Sequence, residues 1–430
     1  MEKKTKTTSR RAFLKGSAAF SSCAAFGFPL IVPSSVFGKQ APSNRLTIAC
    51  IGTGSMGMSN LRGFLGQPGT QTVAVCDVDK KRLQEALDAA KLNKSSGYTD
   101  FRQVLARRDI DVVVNSTPDH WHVPISLEAV RAGKDVYCEK PLSLTISEGR
   151  RLCDAVERYG RVFQTGSHQR SDRNFRFVCE LVRNGRIGPV REVIVEIPAN
   201  SRKNPIVWQP QPVPAELDYD MWLGPAPWAP YTKQRCHYSF RFIRDYGGGQ
   251  LTNWGAHHLD IVQWALGKDD GGPLKICGKG IFPRDGLFNT ADEVCIEYTY
   301  ENDVRVICRT NPKTTTGEIL FKGEDGWIRV SREETSAAPA GLLKSRLGPA
   351  EIHLYRSSEH RKNFLECIRT RGQMVTPVQV GHRSATVCHL GNIAMLLGRQ
   401  LRWDEALEEF PGDAEAGRLL DRPVRSWWAV

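Results

Sequence analysis

The stretch Leu46-Thr47-Ile48-Ala49-Cys50-Ile51-Gly52-Thr53-Gly54-Ser55-Met56-Gly57 decides the fold. Its first six residues form a short apolar run that predicts a β-strand. Three glycines in the pattern Gly-x-Gly-x-x-Gly follow at once, and a helical stretch continues to about Leu65. Such a strand–turn–helix junction frees N–H groups and a positive dipole end at the helix start, which is where phosphate groups bind. Gly52 would make the tight turn, Gly54 would let the backbone of Ser55 and Met56 approach a pyrophosphate, and Gly57 would permit close helix–strand packing.

Reading outward, strand and helix patterns alternate. Residues 72–76 predict a second strand, 79–92 a helix with Leu83, Leu87 and Ala90 on one face, 111–115 and 135–138 further strands, and 125–132 a helix between them. This order predicts a parallel, doubly wound α/β sheet of the Rossmann type. Asp77 ends the second strand, twenty residues past Gly57. An acid there bonds ribose hydroxyls and repels a 2′-phosphate, so NAD is expected over NADP.

Two further segments carry chemistry: Ser116-Thr117-Pro118-Asp119-His120-Trp121-His122 and Tyr137-Cys138-Glu139-Lys140-Pro141-Leu142, each following a strand. Together with the glycine motif they resemble the Gfo/Idh/MocA oxidoreductases. The resemblance implies a second α/β domain whose open, largely antiparallel sheet serves as substrate platform and oligomer interface. It implies a cis peptide before Pro141 that aims Lys140 at a nicotinamide as general acid/base. It also places Thr117, Pro118, His122 and Glu139 near the cofactor.

The stretch 245–260 looks like the family's glycine-rich loop and following helix. The commoner pattern has an aspartate where this chain has Asn253, with Gly255 and His257 matching. Asn253 can orient a hydroxyl but cannot accept a proton at neutral pH; proton handling then falls on Lys140 and His257. Helical spacing puts Asn253, His257, Asp260 and Trp264 on one face. Arg170, Trp254, His257 and Asp260 are the expected substrate contacts. A metal reading of His257, His258 and Asp260 is set aside because the fold already supplies a redox cofactor. Trp208, Trp222 and Trp228 are open between sugar contacts and loop anchors.

The chain has 430 residues and a net charge of +12, of which residues 1–38 carry +5. No basic stripe with interleaved aromatics predicts nucleic-acid binding. Twelve cysteines without a Cys-x-x-Cys pair predict neither a zinc framework nor a disulfide scaffold. Ser9-Arg10-Arg11-Ala12-Phe13-Leu14-Lys15, with the apolar run after it, looks like a twin-arginine export signal; Cys23 leaves lipoprotein anchoring as a lesser option.

The expected organisation is a signal segment over 1–38, a dinucleotide-binding domain over 44–165, a substrate and oligomerisation domain over 166–400, and a tail over 401–430 that packs back on the body. Residues 331–350 are expected to be a mobile loop and residues 382–398 a helix. The expected activity is an exported, homo-oligomeric NAD-dependent oxidoreductase acting on a sugar, glycoside or cyclitol hydroxyl, with C3 of a glycoside the favoured position. The alternatives are a glycoside hydrolase or lyase working through transient oxidation, and a non-catalytic dinucleotide-binding protein.

Overall fold

Strands buried on both faces read as continuous apolar runs, and the first sheet follows that rule. In a computed structural model describing residues 45–200 and 202–425, β1 (Leu46–Ile51) leads through α1 (Ser55–Leu65) to β2 (Thr70–Cys76). There follow α2 (Lys80–Ala90), β3 (Gly97–Tyr98), α3 (Phe101–Leu105), β4 (Val112–Asn115), α4 (Asp119–Arg131), β5 (Asp135–Cys138), α5 (Ile146–Tyr159) and β6 (Phe163–Thr165). The strand order is β3-β2-β1-β4-β5-β6, all parallel. The order reverses between β1 and β4, so a crevice opens at their carboxyl ends, beside Gly52 and Ser116.

Alternation along each strand builds two cores. Ala49, Ile51, Ala74, Cys76, Val113 and Val136 face Trp121, Leu127, Leu152 and Phe163. Ile48, Cys50, Val75, Val112 and Val114 face Leu61 and Phe64 on the other side.

The chain continues through α6 (Arg173–Arg183), β7 (Val190–Pro198), α7 (Tyr219–Leu223) and α8 (Ala256–Leu266). The strands β8 (Lys275–Ile281), β9 (Glu293–Thr299), β10 (Arg305–Asn311), β11 (Glu318–Gly323), β12 (Trp327–Ser331) and β13 (Thr335–Ala338) follow, then α9 (His360–Thr370), α10 (Val378–Leu397) and β14 (Leu401–Arg402). The second sheet is ordered β13-β12-β11-β7-β10-β9-β8-β14 and is antiparallel except between β7 and β10. Val294, Ile296 and Tyr298 of β9 point into a core shared with α8 and α10, while Glu293 and Cys295 are exposed. The open face carries ion pairs such as Arg309–Glu196 and Lys322–Glu192.

The structure differs from the sequence reading in four places. Helix α4 begins at Asp119 rather than 125, with Pro124 inside it; buried His120 and Trp121 anchor its first turn on the carbonyls of Met221 and Trp222. Residues 335–338, expected within a loop, pair with β12 as an edge strand. Helix α10 starts at Val378, four residues earlier than expected. Helix α9, inside the span assigned to the second domain, packs Phe364, Leu365 and Ile368 onto the first sheet. The leader and the pair Trp427-Trp428 lie outside the described residues.

Candidate active site

A glycine pattern becomes a phosphate cradle only if its backbone geometry excludes side chains. Gly52 has φ +80°, and a Cβ there would stand 2.8 Å from the backbone of Ser116 and Thr117. A Cβ on Gly57 would collide with the carbonyl oxygen of Gly52. Gly54 sits at the start of α1, with no side-chain cap and no acid in the first turn. The N–H groups of Ser55 and Met56 are therefore left for a ligand, and the Arg82 guanidinium lies beside Gly54, where a Cβ would meet Nη1 at 2.8 Å. These residues fit a dinucleotide pyrophosphate.

Asp77 is fixed at the end of β2 by three donors. Its Oδ2 accepts from the Thr53 N–H at 2.7 Å and from Thr53 Oγ1 at 3.0 Å, and Oδ1 accepts from the Asp79 N–H at 2.9 Å. Burial pushes its carboxyl up in pKa, and these donors together with Arg82 offset only part of the effect.

Across the crevice, the His122 ring lies between the carbonyls of Pro141 (2.6 Å) and Thr117 (2.9 Å), tying the start of α4 to the Glu-Lys-Pro turn. Thr117 Oγ1 donates to Asn115 Oδ1 at 2.7 Å, and Pro118 is the N-cap of α4. The Lys140–Pro141 peptide is cis. Glu139 is buried and accepts from Asn60 Nδ2 at 2.8 Å.

Lys140 Nζ donates to the backbone carbonyl of Asn253 at 2.7 Å. Burial, then the neighbouring Arg241, brings its pKa down to about 8. A buried ammonium near neutrality is suited to both giving and taking a proton. His257 lies in the same cavity; burial and the charge of Lys140 hold its imidazole well below the ordinary histidine range, so it is neutral. Its Nδ1 is buried without a hydrogen-bond partner among the described residues.

One cavity of about 1080 Å³ is lined by Gly52, Gly54, Asp77, Thr117, Lys140, Asn253 and His257 among others. The expected helical face does not hold. Residues Leu251–Gly255 form a wide π turn before α8, and such a turn shifts the register of the helix after it. Asn253 and His257 line the cavity, but Asp260 turns into the domain interior.

There Asp260 pairs with Arg170, whose Nε lies 2.9 and 3.0 Å from its two oxygens, while Arg170 Nη1 and Nη2 reach Asp269 at 2.9 and 2.7 Å. Trp264 lies under the guanidinium at 5.2 Å. With Arg170 at 1% and Asp260 at 0% exposure, this is a structural ion network; the expected substrate contact through these two residues is corrected. The Asn253 side chain lines the cavity. Its Nδ2 donates to Gln250 Oε1 at 2.9 Å, so its carbonyl, not its amide, holds Lys140.

Trp254 likewise does not line the cavity. It packs behind His257 and supports Arg332, whose guanidinium carbon lies 4.7 Å from its ring centre. Of the open tryptophans, Trp222 lines the cavity, Trp208 packs under Arg235, and Trp228 is 70% exposed. Among the charged cavity residues to which the sequence reading gives no role are Asp119, Arg241 and Arg332. Asp119 is visible in the Thr-Pro-Asp motif, whereas the two arginines follow no spacing that marks them.

A dinucleotide cradle facing a lysine and a histidine defines a two-domain nicotinamide-binding protein. Known proteins agree with this assignment. Residues 46–167 match the oxidoreductase family's NAD-binding Rossmann fold, and residues 201–430 match its C-terminal alpha/beta domain. The chain belongs to the Gfo/Idh/MocA oxidoreductase family.

Among curated relatives, a glycosyl hydrolase family 109 protein of Shewanella sp. (strain ANA-3) is 33% identical over 165 residues, 36% of each chain. An alpha-N-acetylgalactosaminidase of Shewanella oneidensis is 31% identical over 162 residues, 36% of this chain and 35% of that one. The match thus spans little more than a third of these relatives. Among solved structures, aldose-aldose oxidoreductase from Caulobacter crescentus complexed with glycerol has a TM-score of 0.63 at 19% identity, covering 83% of this chain and 99% of the other. A levoglucosan dehydrogenase in complex with NADH has a TM-score of 0.64 at 17% identity, covering 84% and 100%. These structures share the fold.

Proposed function

We propose that this protein is an NAD-dependent oxidoreductase that interconverts a hydroxyl and a ketone on a sugar or glycoside, with C3 the favoured ring position. The observation that carries the reading is Lys140, held by the Asn253 carbonyl beside a neutral His257, in the cavity that also contains the glycine cradle. A bound nicotinamide supplies the hydride acceptor or donor. The chain supplies the rest. Lys140 as the free amine takes the hydroxyl proton during oxidation and returns it during reduction. His257 bonds and orients the reacting hydroxyl. Asp77 and the N–H groups of Ser55 and Met56 hold the dinucleotide.

The glycosidase names of the curated relatives favour a second reading at the same site. A transient ketone acidifies the neighbouring C–H; elimination and water addition then cleave the glycosidic bond, and re-reduction closes the cycle. In both readings the protein is exported through Arg10 and Arg11 with its dinucleotide already bound, and it assembles as a homo-oligomer through the open sheet face. Replacing both arginines by lysine is expected to retain the precursor in the cytoplasm.

Mass spectrometry of the small molecules released from purified protein tests the core of this reading. Released NAD(H), together with reduced-nicotinamide absorbance appearing on mixing with a glycoside, supports it. Release of a free aglycone without net reduction selects the second reading, and absence of any dinucleotide contradicts both.

A further inference from the structure

The cavity contains two guanidinium groups that the reaction as proposed does not use. Arg241 precedes the Gly247–Gly249 loop. Its guanidinium carbon lies 4.6 Å from the ring centres of both Tyr238 and Phe240, and Nη1 donates to the Tyr238 carbonyl at 3.1 Å. Arg332 follows β12. It lies over Trp254, and its Nε and Nη2 donate to Gln169 Oε1 at 3.2 and 3.0 Å. Gln169 in turn donates to the His257 carbonyl at 3.3 Å, which ties Arg332 to the proton-handling residues. Both heads are set in place by aromatic rings and neutral oxygens.

Neither arginine forms an ion pair among the described residues, in contrast to Arg170, which two aspartates neutralise, and Arg361, which lies 3.8 Å from Glu359. Asp172 acts on Arg332, and Asp119 on Arg241, through space and without a salt bridge. Asp172 caps α6, accepting from the N–H groups of Asn174 and Phe175. Glu139 is bonded to Asn60. Asp119 is pushed up to about 7 by burial, with the nearby Arg241 guanidinium pulling the other way. The cavity also contains Lys140, and a bound oxidised nicotinamide adds a further positive charge. The phosphates of a dinucleotide have their own cation in Arg82, beside Gly54.

Both guanidiniums lie close enough to Lys140 to lower its pKa, so an anionic group on the sugar would meet two cations that no salt bridge neutralises. We infer that the sugar substrate carries a fixed negative charge, a carboxylate or a sulfate ester, bound between Arg241 and Arg332. Arginine forks match such planar or tetrahedral oxyanions with two parallel hydrogen bonds. This inference rests on the reading of the same site as a sugar oxidoreductase.

The test uses full-length, NAD-loaded protein and calorimetric binding of three matched probes in the gluco and galacto series: methyl glycoside, its uronate, and its 6-sulfate. We expect at least one anionic probe to bind about ten- to a hundredfold tighter than the neutral one, the range of charged hydrogen bonds. Which probe wins identifies the source of the charge. Arg332→Gln and Arg241→Gln should bring the ratio close to one, and Arg332→Lys should retain part of it. Cofactor occupancy, read by absorbance in each variant, separates loss of the sugar site from misfolding.

Equal binding of neutral and anionic probes, or a preference that survives both glutamine variants, overturns the inference. The two readings fail separately. A preference without nicotinamide reduction defeats only the oxidoreductase reading, and reduction without a preference defeats only this one.

Discussion

The two halves of the molecule build their parts of the site in opposite ways. In the first, the binding groups follow local sequence marks: strand, glycine turn and helix within the twenty residues 46–65, then Asp77 and Glu139-Lys140-Pro141 at the ends of later strands. In the second, the site is assembled from Gln169, Arg241, the continuous run from the turn at Leu251–Gly255 to His257, and Arg332, carried by four separate stretches of chain. A cofactor common to a fold is held by backbone, and backbone geometry leaves a mark in glycine and proline positions. A substrate specific to one protein is held by side chains that only tertiary structure brings together.

The sharpest way to break this comparison is Arg170. Arg170→Met removes the cation from the buried network with Asp260 and Asp269, and breaking a buried pair in this way costs about 3–5 kcal/mol. The expected outcome is a large drop in urea midpoint, with the sugar affinity of the remaining folded protein unchanged. A stable variant with weakened sugar binding would return Arg170 to the substrate site.

A smaller effect contrasts one glycine from each half. Gly57→Ala puts a Cβ onto the Gly52 carbonyl, backbone against backbone, whereas at Gly255 the nearest atom is a side-chain carbon, Leu251 Cδ1, at 3.0 Å. Gly57→Ala should cost about 1–3 kcal/mol and weaken dinucleotide binding, while Gly255→Ala should be nearly neutral. Thermal unfolding and dinucleotide titration compare the pair; equal behaviour would remove the distinction.

Asp77→Ala removes the carboxylate that opposes a 2′-phosphate. It should reduce the NAD over NADP preference by about tenfold, on the order of one charged hydrogen bond. Parallel titrations of the two dinucleotides measure this, and an unaltered ratio would take the preference away from Asp77.

The smallest expected effect is a shift in pH dependence. Oxidation needs Lys140 as the free amine, so its rate should rise with pH through about 8 and then level off, with reduction showing the reverse trend. The Asp119 carboxylate favours the ammonium, so Asp119→Asn should move the midpoint to lower pH by a fraction of a unit. An unmoved midpoint would separate Asp119 from the lysine.

Legibility in the sequence divides along the same line. The parallel sheet, the glycine cradle and the Glu-Lys-Pro turn are legible because short continuous apolar strands and fixed glycines are local signals. The start of α4 is not, since Pro124 reads as a boundary and only the contacts of His120 and Trp121 with α7 hold the earlier turn. The π turn is invisible for a similar reason: spacing arguments assume 3.6 residues per turn and so project Asp260 onto the cavity face. Strand β13 is weak in β-formers and exists because β12 offers it an edge. Arg241 and Arg332 become candidates only when the cavity is seen to contain them.

The central claim is that Lys140 moves the proton while the glycine cradle and Asp77 hold the cofactor. Lys140→Met keeps most of the side chain's bulk and removes the ammonium. The direct measurement is single-turnover appearance of reduced-nicotinamide absorbance after NAD-loaded variant and glycoside are mixed, with cofactor occupancy determined on the same sample. Undiminished occupancy with a hydride-transfer rate lowered by about 10²–10⁴-fold is the result this account predicts; full occupancy with an unchanged rate would contradict it.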